Sequence, residues 1–114
     1  MNEKTTPALN PNEDELLFKK RGEMKSGLFS KSNAGTFYFF PDRIVFKPAG
    51  LNRLFNSAEI LIPGSQILSV EPSFRIIGYL FIVKTTSQRF WLSFLGDKKE
   101  IGKLLYSYVI KNES

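Results

Sequence analysis

Asp97-Lys98-Lys99-Glu100-Ile101-Gly102-Lys103-Leu104-Leu105-Tyr106-Ser107-Tyr108-Val109-Ile110-Lys111-Asn112 closes a chain whose stretch from Gly35 to Leu95 reads as strands. Ile101, Leu104, Leu105, Tyr108 and Val109 recur at i, i+3, i+4, i+7 and i+8, one apolar stripe of a helix, while Lys98, Lys99, Lys103 and Lys111 face elsewhere. Asp97 is placed to accept hydrogen bonds from the first-turn amides and Glu100 to reach back, the two halves of a capping box. Burying four or five such side chains contributes on the order of 1.5–3 kcal/mol each before entropy is subtracted. The helix is therefore expected to be indispensable to folding. Helical signal only at the end leaves no parallel βαβ unit, and no repeat of fixed period is visible.

Working back from the helix, Arg89 to Leu95 and the long run Ile76 to Thr86 pair as a predicted hairpin turning at Thr86 and Ser87. Ile67 to Val70 is a short strand. Ala58 to Ile62 is another, with Ala58, Ile60 and Ile62 alternating against Glu59 and Leu61, and Pro63 and Gly64 stop it. Gly35 to Phe40 and Arg43 to Lys47 form a hairpin through Pro41 and Asp42. Period-two alternation sets Phe37 and Phe39 on one face against Tyr38 and Phe40 on the other. Both faces are apolar. Leu16 to Phe18, with Met24 and Leu28 further on, suggests an irregular first strand around Lys19, Lys20, Arg21 and Gly22.

The 114 residues suffice for one domain with its own core, expected over 16–112 behind a flexible acidic tail over 1–15. No stretch approaches the ~18 apolar residues of a membrane span, and no signal peptide is readable. With no cysteine and no disulfide framework, the expected location is the cytoplasm, at the inner face of the membrane if peripheral. The net charge of +5 hides a division. The tail holds Lys4 against Glu3, Glu13, Asp14 and Glu15, whereas from Leu16 to Asn112 the other fifteen Lys and Arg face six acids. So basic a domain attracts polyanions: nucleic acid, anionic lipid headgroups or an acidic protein surface.

The order of these elements resembles a pleckstrin-homology-like domain, and within that superfold the GRAM family and related bacterial small proteins. The resemblance rests on Gly35 to Phe39 leading through Asp42-Arg43 into Ile44-Val45-Phe46-Lys47-Pro48. It continues in Leu54-Phe55, Glu59-Ile60-Leu61-Ile62-Pro63, Gln66-Ile67, Val70-Glu71, Leu80-Phe81-Ile82-Val83, Arg89-Phe90-Trp91-Leu92 and the helix. It implies a mainly β fold of about seven antiparallel strands, in two packed sheets or a partly open barrel, with one C-terminal amphipathic helix closing an end. Many eukaryotic members bind phosphoinositides through basic residues in the loop joining the first two strands and in the strand after it. Lys25 and Lys31 match that loop, but Gly35 to Phe40 carries no Lys or Arg.

Lys19, Lys20, Arg21, Lys25 and Lys31 form the densest basic cluster, and convergence with Lys47 and Arg53 would make a phosphate-facing patch. Lysines along a strand edge also serve simply to keep it solvated. Leu54 and Phe55, beside Arg53 in a loop, suit either a bilayer or partner groove or a lid on the core. Tyr38, Phe40, Tyr79, Phe81 and Trp91 suit a core, a self-association surface or a base-stacking platform. An enzyme is hard to assemble without His or Cys and with no paired carboxylates, and no metal or cofactor is expected. The reading is a non-catalytic adaptor or regulatory binding module whose partner is another protein, including a second copy. The first alternative is peripheral contact with anionic membrane lipids, and the second is nucleic acid.

Overall fold

The fold is built outward from a ring of phenylalanines that the alternation along Asn33–Phe39 turns inward. The structure, a computed structural model, describes residues 15–26, 32–50 and 59–113. The tail up to residue 14, Leu28, Lys31, Arg53, Leu54, Phe55 and Ala58 lie outside the described residues. The strands are β1 Phe18–Ser26, β2 Asn33–Phe39, β3 Arg43–Pro48, β4 Ile60–Pro63, β5 Ile67–Ser73, β6 Tyr79–Thr85 and β7 Arg89–Phe94, followed by helix α1, Lys98–Glu113. They form one antiparallel sheet in the order β4-β3-β2-β1-β7-β6-β5, curled into a half-barrel. A short 3-10 turn, Gly64–Gln66, joins β4 to β5. The expected mainly β architecture with a terminal helix is thus the observed one, as a single curled sheet.

Phe37 and Phe39 are fully buried, and the Phe37 ring meets Phe46 at 4.7 Å and Phe94 at 4.9 Å. Ile101, Leu105 and Tyr108 of α1 complete this core from the stripe read in the sequence. The Tyr108 hydroxyl donates to the Phe40 carbonyl at 2.6 Å and lies 3.2 Å from the Arg43 carbonyl. Asn112 Nδ2 donates to the carbonyls of Gly64 and Ile67, each at 2.9 Å. The helix end is therefore bolted to both the β2–β3 turn and the start of β5.

Several expectations need correction. Ile76 and Ile77 are not strand residues: β6 begins at Tyr79, because Gly78 takes φ 78 and turns the chain before it. β5 runs on past Val70 to Ser73 through Pro72, which an edge strand tolerates. Asp97 does not form the capping box. It adopts φ 61, and its carboxylate accepts instead from Lys20 Nζ at 2.9 Å. Phe40 does not share an open face with Tyr38: β2 stops at Phe39, and Phe40 turns inward under the Arg43 guanidinium, 4.1 Å from its ring.

Burial raises the Tyr79 phenol from 10.0 to about 12, with the Asp97 and Glu100 carboxylates adding to it. Burial raises Tyr108 as well, reinforced by Asp42 and opposed by Arg43. Above the ordinary value near 10 the unfolded chain loses these protons first, so stability present below that pH is lost as pH rises through about 12. The expected result is alkaline destabilisation, together with phenolate absorbance at pH about 11 that falls short of the unfolded chain's by the share of Tyr79 and Tyr108. Full phenolate absorbance in the folded protein at that pH would contradict the burial.

Candidate binding face

Residues on β1 alternate between core and solvent. Met24 and Ser26 are buried, while Lys19, Arg21, Glu23 and Lys25 line the outer face. Register then decides which charges meet. Lys19 stands opposite Tyr38 on β2, and Arg21 stands opposite Thr36, which in turn pairs with Lys47 on β3. The Tyr38 ring consequently has Lys19 Nζ at 5.5 Å and Lys47 Nζ at 5.1 Å from its centroid. Two ammonium groups flanking one half-exposed ring, with Arg21 exposed beside them, form a cationic and aromatic patch on β1–β3. Lys47 also lies 3.7 Å from Glu59, a loose and exposed pair.

The remaining sequence candidates go elsewhere. Lys20 crosses to the Asp97 carboxylate and tethers β1 to the start of α1. Lys25 is six residues along β1 from Lys19, about 20 Å at ~3.3 Å per residue, and lies 5.6 Å over the Trp91 ring. Lys31, Arg53, Leu54 and Phe55 lie outside the described residues. Lys19, Arg21 and Lys47 are thus the members of the predicted cluster that the fold brings together. Of the aromatic set, Phe40, Tyr79 and Phe81 are buried, leaving Tyr38 and Trp91 half-exposed and apart.

A second surface occupies part of the segment expected as strand. The β5–β6 loop exposes Phe74 (84%), Ile76 (90%) and Ile77 (70%), with Leu95 (63%) next to it at the end of β7. Two signals in the sequence pointed there: Pro72 and Gly78 bracket the segment, and an isolated Gly within a strand pattern marks an irregularity. Among the described residues no three potential metal ligands gather, and no helix is long and apolar enough to cross a membrane.

No protein-family model matches the chain, and no curated protein does. Among solved structures it is similar to the C-terminal domain of an unknown protein from Leishmania infantum, with TM-score 0.62 and 18% identity, covering 82% of this chain and 84% of that one. At that identity the likeness concerns the fold alone.

Proposed function

We propose that the protein is a non-catalytic binding module of pleckstrin-homology-like type, which recognises an acidic segment of a protein partner on the outer face of β1–β3. The observation that carries this reading is the Tyr38 ring flanked by Lys19 and Lys47, with Arg21 adjacent. A carboxylate-rich segment lying across the strands would meet ammonium and guanidinium donors while its aliphatic stems pack on the ring. Two acids share this face, Glu23 on β1 and Glu59 before β4. A peptide can place its own cations against them, which a uniformly anionic bilayer cannot do. Nucleic acid is disfavoured because a stacking platform needs exposed rings in series, and Phe40, Tyr79 and Phe81 are buried.

Titrating isotope-labelled protein with a glutamate-rich peptide should shift the amides of Lys19, Thr36, Tyr38 and Lys47. The affinity should fall with salt as exposed charges are screened over roughly 10 Å at 0.1 M. The double variant Lys19→Glu, Lys47→Glu should weaken the peptide at least about tenfold, or ~1.4 kcal/mol. Unshifted amides with the peptide, alongside salt-sensitive pelleting with anionic vesicles, would transfer the face to lipid.

A further inference from the structure

From the β5–β6 loop we infer that the chain forms a two-fold dimer in which the loop of each copy enters a cleft of the other. The loop is a knob: Phe74 and Ile76 project with most of their surface in solvent, and no strand pairing occupies residues 74–78. Directly beside it lies a hole, a cleft of about 690 Å³. Small residues, Ala34 and Ser93, leave this cleft open, and Ile77, Phe94 and Leu95 give it an apolar wall. A knob that adjoins its own hole cannot fill it with the same projecting tip. Under a two-fold axis, however, each copy's tip faces the other's cleft, and a surface carrying both halves becomes self-complementary.

The rim argues for the same occupant. Arg75 and Glu23 line the cleft and stand 3.9 Å apart within one copy, a long contact between side chains that are 39% and 48% exposed. An exposed pair at that distance contributes little, so its members are available to exchange partners across an axis, Arg75 of each copy with Glu23 of the other. Rim charges of both signs suit a second copy. Lys20 and Arg21 also line the cleft, Lys20 already paired with Asp97, and Glu23 is the acid that the Arg75 of a second copy can neutralise. A second copy seated in this way would bury an apolar centre within a charged rim, the pattern of stable interfaces.

This goes beyond the acidic-segment reading: Arg21 and Glu23 border both surfaces, but Lys19, Tyr38 and Lys47 belong to the first alone and Phe74 and Ile76 to the second alone, so the two can fail separately. Light scattering across a concentration series should give a mass that rises from that of one chain toward twice it. Ile76→Asp, at a position 90% exposed, should leave the thermal melt unchanged and weaken dimerisation at least about thirtyfold. Lys19→Glu with Lys47→Glu should leave it intact. The decisive arm uses Arg75→Glu and Glu23→Arg. Each variant alone sets like charges opposite at both symmetry-related contacts and should stay monomeric where the wild type is dimeric. Mixed in equal amounts, the two chains set unlike charges opposite at both contacts and should form a heterodimer. A wild type that remains one chain in mass throughout, a dimer that survives Ile76→Asp, or a mixture no more associated than its parts overturns the inference. So does a monomeric wild type whose pelleting with anionic vesicles is lost in Ile76→Asp, which would make the loop a bilayer-inserting element.

Discussion

Phe37→Ala should destabilise the protein by about 3–5 kcal/mol, seen as a lowered urea midpoint with little change in slope. The Phe37 side chain is fully buried, and its ring is the meeting point of three others: Phe46 from β3, Phe94 from β7 and Phe39 from its own strand. Tilted and offset aromatic pairs of this kind contribute about 0.5–1.5 kcal/mol beyond the area they bury. Alanine would remove contacts to both halves of the sheet at once, and the surrounding rings, held by three separate strands, cannot all close on the gap. Since a small domain has a total stability of roughly 5–15 kcal/mol, the variant should sit near its unfolding threshold at 25 °C. A loss under about 1 kcal/mol would mean that the ring is not the hub described here.

Gly22→Val should cost about 3 kcal/mol, the upper part of the usual overpacking range, and loosen the seam between β1 and β7. A Cβ built on Gly22 would lie 2.4 Å from the Ser93 carbonyl oxygen and 2.7 Å from the Phe94 ring. Neither the backbone oxygen nor a ring wedged against Phe37 and Phe39 can move aside cheaply. The clash falls just before the registered pairs Glu23 with Ser93 and Met24 with Leu92, the ladder that joins β2–β4 to β5–β6 through β1 and β7. Ala34→Val, at the exposed position opposite Glu23, is the control and should stay within about 0.5 kcal/mol of the wild type. Amide exchange should rise at Met24 and Leu92 in Gly22→Val and not in Ala34→Val. Equal protection in both would place the strain elsewhere.

Where the periodicity was unbroken, local pattern sufficed to specify structure. The helix stripe is a case in point: Ile101, Leu105 and Tyr108 are all buried, and the helix runs within one residue of its expected ends. The strands were legible wherever alternation ran uninterrupted, as in Phe37-Tyr38-Phe39. Pattern failed where one residue's backbone or one remote partner decides the outcome. Ile76 and Ile77 have every strand preference, yet Gly78 in a left-handed conformation ends the extended chain. Asp97 has the chemistry of a cap, yet Lys20, far away in sequence, takes its carboxylate.

The proposed binding face failed to be fully legible for a related reason. Charge density marked Lys19 to Arg21, but consecutive strand residues point to opposite faces, and Lys20 was bound to diverge from its neighbours. Which distant lysine would join Lys19 depends on the offsets of β1 against β2 and of β2 against β3. Those offsets are set by core packing, not by the charges themselves.

The pairing of β1 with β7 also orders events during synthesis. As the chain leaves the ribosome, β1 can zip against β2 almost at once, since their hairpin is local. Its other edge must wait until Phe90 to Ser93 have been translated, when most of the chain is already outside. For that interval the nascent protein carries an open strand edge beside unsheltered phenylalanines, and closing it is a long-range search of the slow kind. The charges on β1, Lys19, Arg21, Glu23 and Lys25, then have a second use: they guard an unfinished edge against its neighbours on the polysome.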